Sequence, residues 1–233
     1  GKNQLVFDSD LSPEGGAATY RWDLDKLTSA EVTAGAFWMR ERSSDPDTGL
    51  FGYQGLLKHK LSSASHILGG VSYYDFTNIQ GFTLDGISAK GNTLAADDSY
   101  INDYDLLEAF GEYGFQIVET PASVYGSYVK NTGATTSEDT AWILGATYNK
   151  AKKPGTWQIG YNYRDIEADA VVGGLNSSDF IGGGTDGKGH VIGFKYQLAE
   201  NTQLGLHYFI NEKNASTTED DFNLLQADLV FKF

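Results

Sequence analysis

Few side chains in this sequence stand at spacings that chemistry would use, and the most suggestive belong to a glycine run. Gly182 to Gly187, followed by Lys188, satisfies all of G-x-x-x-x-G-K-[ST] except the last position, where Gly189 replaces the hydroxyl that would hold Mg²⁺. The run also follows an irregular segment and precedes a strand pattern, whereas a phosphate loop joins a strand to a helix. It reads as a surface or pore-folded loop, with Asp179 and Asp186 as candidate oxygens for Ca²⁺. His59, His66, His190 and His207 occur singly, without the H-x-x-x-H spacing of a zinc site. No G-x-S-x-G elbow is present. A Ser and a His aligned across adjacent strands, as a barrel hydrolase would need, stays open as a minor reading. No catalytic residue is assigned, no resident metal and no organic cofactor is expected, and Ca²⁺ or Mg²⁺ is expected at most on acidic loops.

The charged residues with the clearest pattern are those that alternate with apolar ones. Arg21, Asp23, Lys58, Glu108, Glu112, Arg164, Lys195 and Asp228, together with the polar Asn162 and with Lys232, each fall opposite the apolar face of a strand-like segment. A second acidic set falls between such segments: Asp8, Asp10, Glu14, Asp45, Asp47, Asp85, Asp97, Asp98, Glu138, Glu219, Asp220 and Asp221.

The elements that must position these groups are strands. From Phe222 to the end, Leu225, Ala227, Leu229, Phe231 and Phe233 share one face, with Gln226, Asp228 and Lys232 on the other. That alternation is long enough for a tilted strand to cross a bilayer, which takes roughly 9–11 residues. Comparable segments are predicted at Gln4–Asp8, Ala17–Asp25, Glu31–Arg40, Gly49–Lys60, Ser65–Phe76, Tyr104–Ile117, Ala122–Asn131, Thr140–Asn149, Thr156–Asp165, His190–Leu198 and Gln203–Asn211. This gives about twelve strands. The connections beginning near Lys26, Leu61, Val118, Lys150 and Ala199 are short, and longer ones fall between them, above all Thr77–Asn102 and Ile166–Lys188. Outer-membrane barrels show this alternation of short periplasmic turns and long extracellular loops.

Composition agrees with that class. The 233 residues contain 28 Gly, 14 Tyr, 13 Phe and 4 Trp, with 4 Pro and no Cys. Mean hydropathy is nevertheless -0.34. Aromatic-rich yet hydrophilic chains suit a barrel, because only alternate strand residues meet lipid. No apolar run approaches the ~18 residues of a membrane helix. The absence of Cys excludes disulfides and thiolate metal sites. A net charge of -14 argues against a nucleic-acid partner, whose phosphates require Lys and Arg. The start at Gly1-Lys2-Asn3 carries no leader pattern, so a processed or shortened chain is expected. The short first segment leaves closure against the last strand an open problem.

Several stretches resemble one bacterial family. They are Leu5-Val6-Phe7-Asp8-Ser9-Asp10-Leu11-Ser12-Pro13-Glu14-Gly15, Tyr104-Asp105-Leu106-Leu107-Glu108, Tyr128-Val129-Lys130-Asn131, Ala151-Lys152-Lys153-Pro154-Gly155, and the order Ile166-Glu167-Ala168-Asp169-Ala170 followed by Ser177-Ser178-Asp179-Phe180 and Gly182 to His190. As a set they resemble the outer-membrane "putative porin" family over nearly the whole chain. The resemblance implies an all-β, antiparallel, up-and-down transmembrane β-barrel spanning residues 1–233 as one domain. It also implies a location in the bacterial outer membrane and presumed passive transport rather than catalysis. Family members are typically longer at the N-terminus.

The first functional expectation is therefore a diffusion channel for small hydrophilic solutes or ions, lined by Arg21, Asp23, Lys58, Glu108, Glu112, Asn162, Arg164, Lys195 and Asp228. An acidic mouth would favour cations. The alternative is a non-conducting barrel acting as anchor, adhesin or partner scaffold. Lipid and lipopolysaccharide are the expected surroundings, and the exposed aromatic residues would serve a homo-oligomer as well as lipid.

Overall fold

The computed structural model describes residues 4–84 and 86–232. Asp85 of the acidic set, Phe233 of the terminal alternation and the start at Gly1-Lys2-Asn3 lie outside the described residues. Eleven antiparallel strands form one meander, each paired with its sequence neighbour: β1 Glu14–Asp23, β2 Thr28–Arg40, β3 Thr48–Lys60, β4 His66–Thr77, β5 Asp105–Ile117, β6 Thr120–Asn131, β7 Thr140–Tyr148, β8 Trp157–Ile166, β9 Gly187–Ala199, β10 Thr202–Lys213 and β11 Asp220–Phe231. No helix among the described residues is long and apolar enough to cross a membrane.

Strand register divides the side chains into two sets. Tyr20, Val32, Tyr53, Val71, Leu107, Tyr128, Trp142, Asp165 and Lys188 follow one another from partner to partner, or two residues along, on one side of the sheet. On this side Tyr20, Trp38, Leu144 and Leu225 are 68, 67, 61 and 69 % exposed. A row of large apolar groups that water would penalise thus covers the convex surface of the sheet. Aromatic rings gather at its two margins. Trp142 and Tyr148 lie six residues apart on β7, as do Trp157 and Tyr163 on β8, a separation of roughly 20 Å at about 3.3 Å per residue. Trp142 packs on Tyr163 at 5.2 Å, and Tyr148 on Trp157 at 5.8 Å.

The opposite side is concave, since Gln54 of β3 and Lys195 of β9 line one cavity. It has two tiers. Near the long loops, inward residues are apolar: Leu50, Tyr74, Phe76, Leu106, Val129, Ile143, Ile166, Val191 and Phe209 belong to one buried cluster. Near the short turns they are mostly polar, with Leu56 and Leu68 as exceptions.

Three segments fill the apolar tier. Leu5 and Val6 are completely or almost completely buried there, with Phe7 edge-on to Tyr74 at 5.1 Å. The β4–β5 loop contributes Ile79, Leu84 and Tyr100, and the β8–β9 loop contributes Val171, Val172, Leu175 and Phe180. Loop backbone is held by side chains rather than by sheet pairing. Asn92 donates to the carbonyls of Ala168 (2.7 Å) and Val171 (2.8 Å) and accepts from the Gly173 amide (2.7 Å). The Asp169 carboxylate accepts from the Thr93 amide and hydroxyl, the Tyr104 hydroxyl and the Thr136 hydroxyl. Glycine permits the closest crossing of the two loops. At Gly184, with φ of 105°, a Cβ would stand 2.1 Å from the Lys90 carbonyl oxygen, next to the 2.9 Å hydrogen bond from the Thr185 amide to that oxygen.

Two sequence expectations are corrected here. Gln4–Asp8 is not a strand. Its alternation is too short to pair, and Leu5 and Val6 lose more apolar surface in the cluster than they would at a sheet edge. The number of strands among the described residues is therefore eleven rather than about twelve. The all-β, up-and-down, antiparallel assignment holds. β1 and β11 are not paired with each other, so the sheet is open.

Asp169 supplies the sharpest stability test. Replacing it with Ala strands buried donors from two loops and β5's lead-in residue, so unfolding stability in detergent micelles is expected to fall on the order of 3 kcal/mol. Asp169→Asn, which keeps one carbonyl acceptor, is expected to lose less. Equal stability of wild type and Asp169→Ala in denaturant titrations would contradict this role.

Candidate functional site

The concave face leaves two polar cavities. The larger, about 810 Å³, runs along the inner sides of β8, β9 and β10 and is lined by Gln158, Gly160, Asn162, Arg164, Gly193, Lys195 and His207. Asp8, Asp10 and Asp179 line its end toward the long loops. A second cavity of about 690 Å³ opens among the short turns and is bounded by Lys58, Lys60, His66, Glu112 and Lys152. Thr147 and Gln158 border both. Inward glycines create much of this room: Gly160 and Gly193 are direct partners on β8 and β9, so no side chain crosses the space there.

All nine residues proposed from sequence lie on the concave side, but in different surroundings. Asn162, Arg164 and Lys195 line the larger cavity, and Lys58 and Glu112 line the smaller one. Arg21 pairs with Glu31 across β1 and β2. Arg21 and Asp23 both sit on the strand with an open edge. Asp228 faces His207 at 3.8 Å, and Glu112 faces His66 at 3.5 Å. Glu108 touches neither cavity. It is fully buried, accepts a 2.7 Å hydrogen bond from the Ser127 hydroxyl, and has the hydroxyls of Ser72 and Tyr74 beside it. Gln54 donates to Ser72 at 3.0 Å, so this polar chain crosses β3 to β6 beneath the apolar tier.

Among the described residues Arg164 is the most enclosed cation, at 6 % exposure. Its Nε donates to Asn162 Oδ1 at 3.1 Å and Nη2 to Gln4 Oε1 at 3.3 Å, while the guanidinium lies 4.8 Å from the centre of the Phe180 ring. Gln4 and Phe180 come from segments distant in sequence, so nothing in the alternation of β8 signals this cluster. His207 was legible only as a single histidine. Its inward position follows from its pairing with Gly193.

The remaining motif residues fall into structural roles. The glycine run leads through Gly187 and Gly189 directly into β9, which excludes the helix a phosphate loop requires. Asp186 accepts from the amide (2.8 Å) and hydroxyl (3.0 Å) of Ser216, tying the β10–β11 loop down. No group of three or more acids and histidines placed to hold a metal ion occurs among the described residues. His59 bonds Thr28 at 2.9 Å and His190 bonds Tyr161 at 2.8 Å.

The described strands form one open, up-and-down antiparallel sheet with apolar groups on its convex side and polar cavities on its concave side. The chain belongs to the family described as "Putative porin", whose model matches residues 2–106 and 95–233. No curated relative matches the chain.

The loops above the cavities carry carboxyls whose protonation is coupled to packing. Glu138 is held above the usual glutamate range, first by desolvation and then by the charges of Glu167 and Asp186. Asp103 is likewise raised, chiefly by burial. A carboxyl with a raised folded-state pKa holds its proton more firmly when folded. Its contribution to loop stability is thus complete below the unfolded value and lost as pH rises through the folded one. Amide exchange in residues 132–139, corrected for intrinsic chemistry, is expected to be slower near pH 4 than near pH 7, and Glu138→Gln should shrink that difference. Faster exchange at the lower pH would contradict the sign.

Proposed function

We propose that this chain is the wall of an outer-membrane porin that passes small hydrophilic solutes or ions by passive diffusion. The observation that carries this reading is the run of polar cavity from Asp8, Asp10 and Asp179, past Asn162, Arg164 and Lys195, to Lys58 and Glu112 near the short turns. Family membership supports a porin-like, non-enzymatic role. The convex apolar surface and its two aromatic margins, roughly 20 Å apart, suit the apolar band of about 25 Å that aromatic girdles flank in outer-membrane barrels. Residues 1–233 then act as one domain.

Such a wall must be closed in hydrocarbon, where unpaired strand edges are not tolerated. β1 and β11 both run from the long-loop end to the short-turn end, so an antiparallel closure places an odd number of further strands between them. With the long loops outside, the acids of the mouth favour cations and take up Mg²⁺ or Ca²⁺ bridging to lipopolysaccharide. Neighbouring barrels can replace lipid on the convex face.

One observation favours a second reading, a non-conducting anchor or scaffold: the apolar tier is filled by residues 5–7 and two loops. Conductance separates the two. Wild-type protein in planar bilayers is expected to give stable current steps, with a reversal potential in a KCl gradient on the cation side. Gly160→Leu places a side chain in the larger cavity, where its Cβ would meet only Thr147 Cγ2 at 3.7 Å and the Ala146 carbonyl oxygen at 3.8 Å. Conductance should drop roughly twofold or more without loss of fold. Silent bilayers from folded protein would favour the scaffold, and a chloride-side reversal would remove the cation preference.

A further inference from the structure

Arg164 poses an electrostatic problem that its neighbours do not solve. A guanidinium taken almost wholly out of water needs a counter-charge or a full set of acceptors. The described partners are the neutral amide oxygens of Asn162 and Gln4, the phenol of Tyr125 and the face of Phe180. Among the described residues no carboxylate lies within ion-pairing distance of it. Glu108, the other buried charged residue on a described strand, is in the separate hydroxyl chain with Ser127. Two guanidinium nitrogens are engaged, which leaves Nη1 without a described partner on the border of the 810 Å³ cavity.

The uncharged polar groups that border the same space are Gln4, Asn162, Ser177 and Tyr125, while Asp8, Asp10 and Asp179 line its end toward the long loops. A planar, forked cation set among neutral hydrogen-bonding groups in a sheltered cavity is matched by a carboxylate, which accepts at two oxygens and supplies the missing charge.

We propose that the larger cavity is a binding subsite for small carboxylate-bearing solutes, with the carboxylate seated on Arg164. The solute's remaining groups extend along the glycine-walled space beside Gly160 and Gly193. Lys195 is six residues beyond Gly189, the strand partner of Arg164, and so stands roughly 20 Å further along the wall. It is a second station for an anion and not part of the same contact. Asp8, Asp10 and Asp179 at the mouth side of the cavity make a solute that also carries an ammonium group the better fit. This subsite deepens the porin reading by naming a solute class, yet binding can be measured on protein that conducts nothing.

The test uses the folded chain in detergent micelles, titrated with isotope-labelled acetate, with glycine as the zwitterion and with glycinamide as a cation lacking the carboxylate. Acetate and glycine are expected to bind the wild type saturably, glycine more tightly, and glycinamide not at all. Arg164→Gln should weaken acetate binding roughly tenfold or more, and Arg164→Lys should weaken it less because charge is kept but the fork is lost. Lys26→Gln, in the turn before β2, should bind as wild type. If Arg164→Gln does not fold, Arg164→Lys alone decides: unchanged acetate affinity overturns the proposal. Absence of saturable acetate binding to the wild type, or binding that survives Arg164→Gln, overturns it as well. Glycinamide binding as well as glycine would show recognition of the ammonium group alone and likewise overturn it. Bound acetate with silent bilayers would overturn the channel and leave the subsite standing.

Discussion

Each strand residue in this molecule must suit one of two surroundings, because a β-strand sends successive side chains to opposite faces. A slip of one residue in any of the ten pairings would drive a row such as Tyr20, Val32 and Tyr53 inward and leave Arg21, Glu31 and Gln54 outside. Register is therefore specified by side-chain chemistry on both faces at once. The polar interior exists because the apolar partners are committed to the exterior.

That constraint relaxes along the strand axis. At the short-turn end the inward residues are mostly polar, and at the long-loop end Leu50, Phe76, Leu106, Ile143 and Ile166 form an apolar cluster. An apolar concave tier facing open water would be unstable, and the chain resolves this by folding its own segments in. Burial of Leu5, Ile79, Val171 and Phe180 offsets the entropy of ordering long loops. The loop backbone then needs hydrogen bonds that no sheet provides. Asn92, Asn131 and Asp169 supply them, each serving partners thirty or more residues away: Asn131 donates to the Asp169 carbonyl, and Asn92 to the Val171 carbonyl.

The same contrast explains what the sequence disclosed. Period-two alternation is local, so all eleven strands were legible to within about three residues at their ends. β1, β2 and β9 begin three residues earlier than alternation suggested, at Glu14, Thr28 and Gly187, because their first residues are small or polar and carry little apolar signal. The inward placement of Lys58, Glu112, Asn162 and Lys195 followed from parity alone. What parity could not separate was an inward residue beside a cavity from one beneath a plug. Glu108 and Lys58 occupy equivalent alternating positions, yet only Lys58 borders open space. The difference is set by Ser72, Tyr74 and Ser127 on neighbouring strands. Gln4–Asp8 was misread for the complementary reason: two apolar residues in a short run look like a strand edge until the cluster that receives them is known.

The charge of the chain and the charge of its interior also have to be kept apart. A formal -14 is a sum dominated by exposed and loop carboxyls, and at physiological ionic strength a field from such groups decays over about 8 Å of solvent. Inside the wall the decisive groups are few and poorly screened. His66 stands against Glu112 and His207 against Asp228, so those carboxyls have local partners. Arg164 has neutral partners and no carboxylate among the described residues, and low solvent access strengthens whatever it interacts with. In the proposed channel, the sign of charge reverses between the acidic loop end of the larger cavity, with Asp8, Asp10 and Asp179, and Arg164 on its inner side. The net charge of the chain therefore does not describe the charge of its interior.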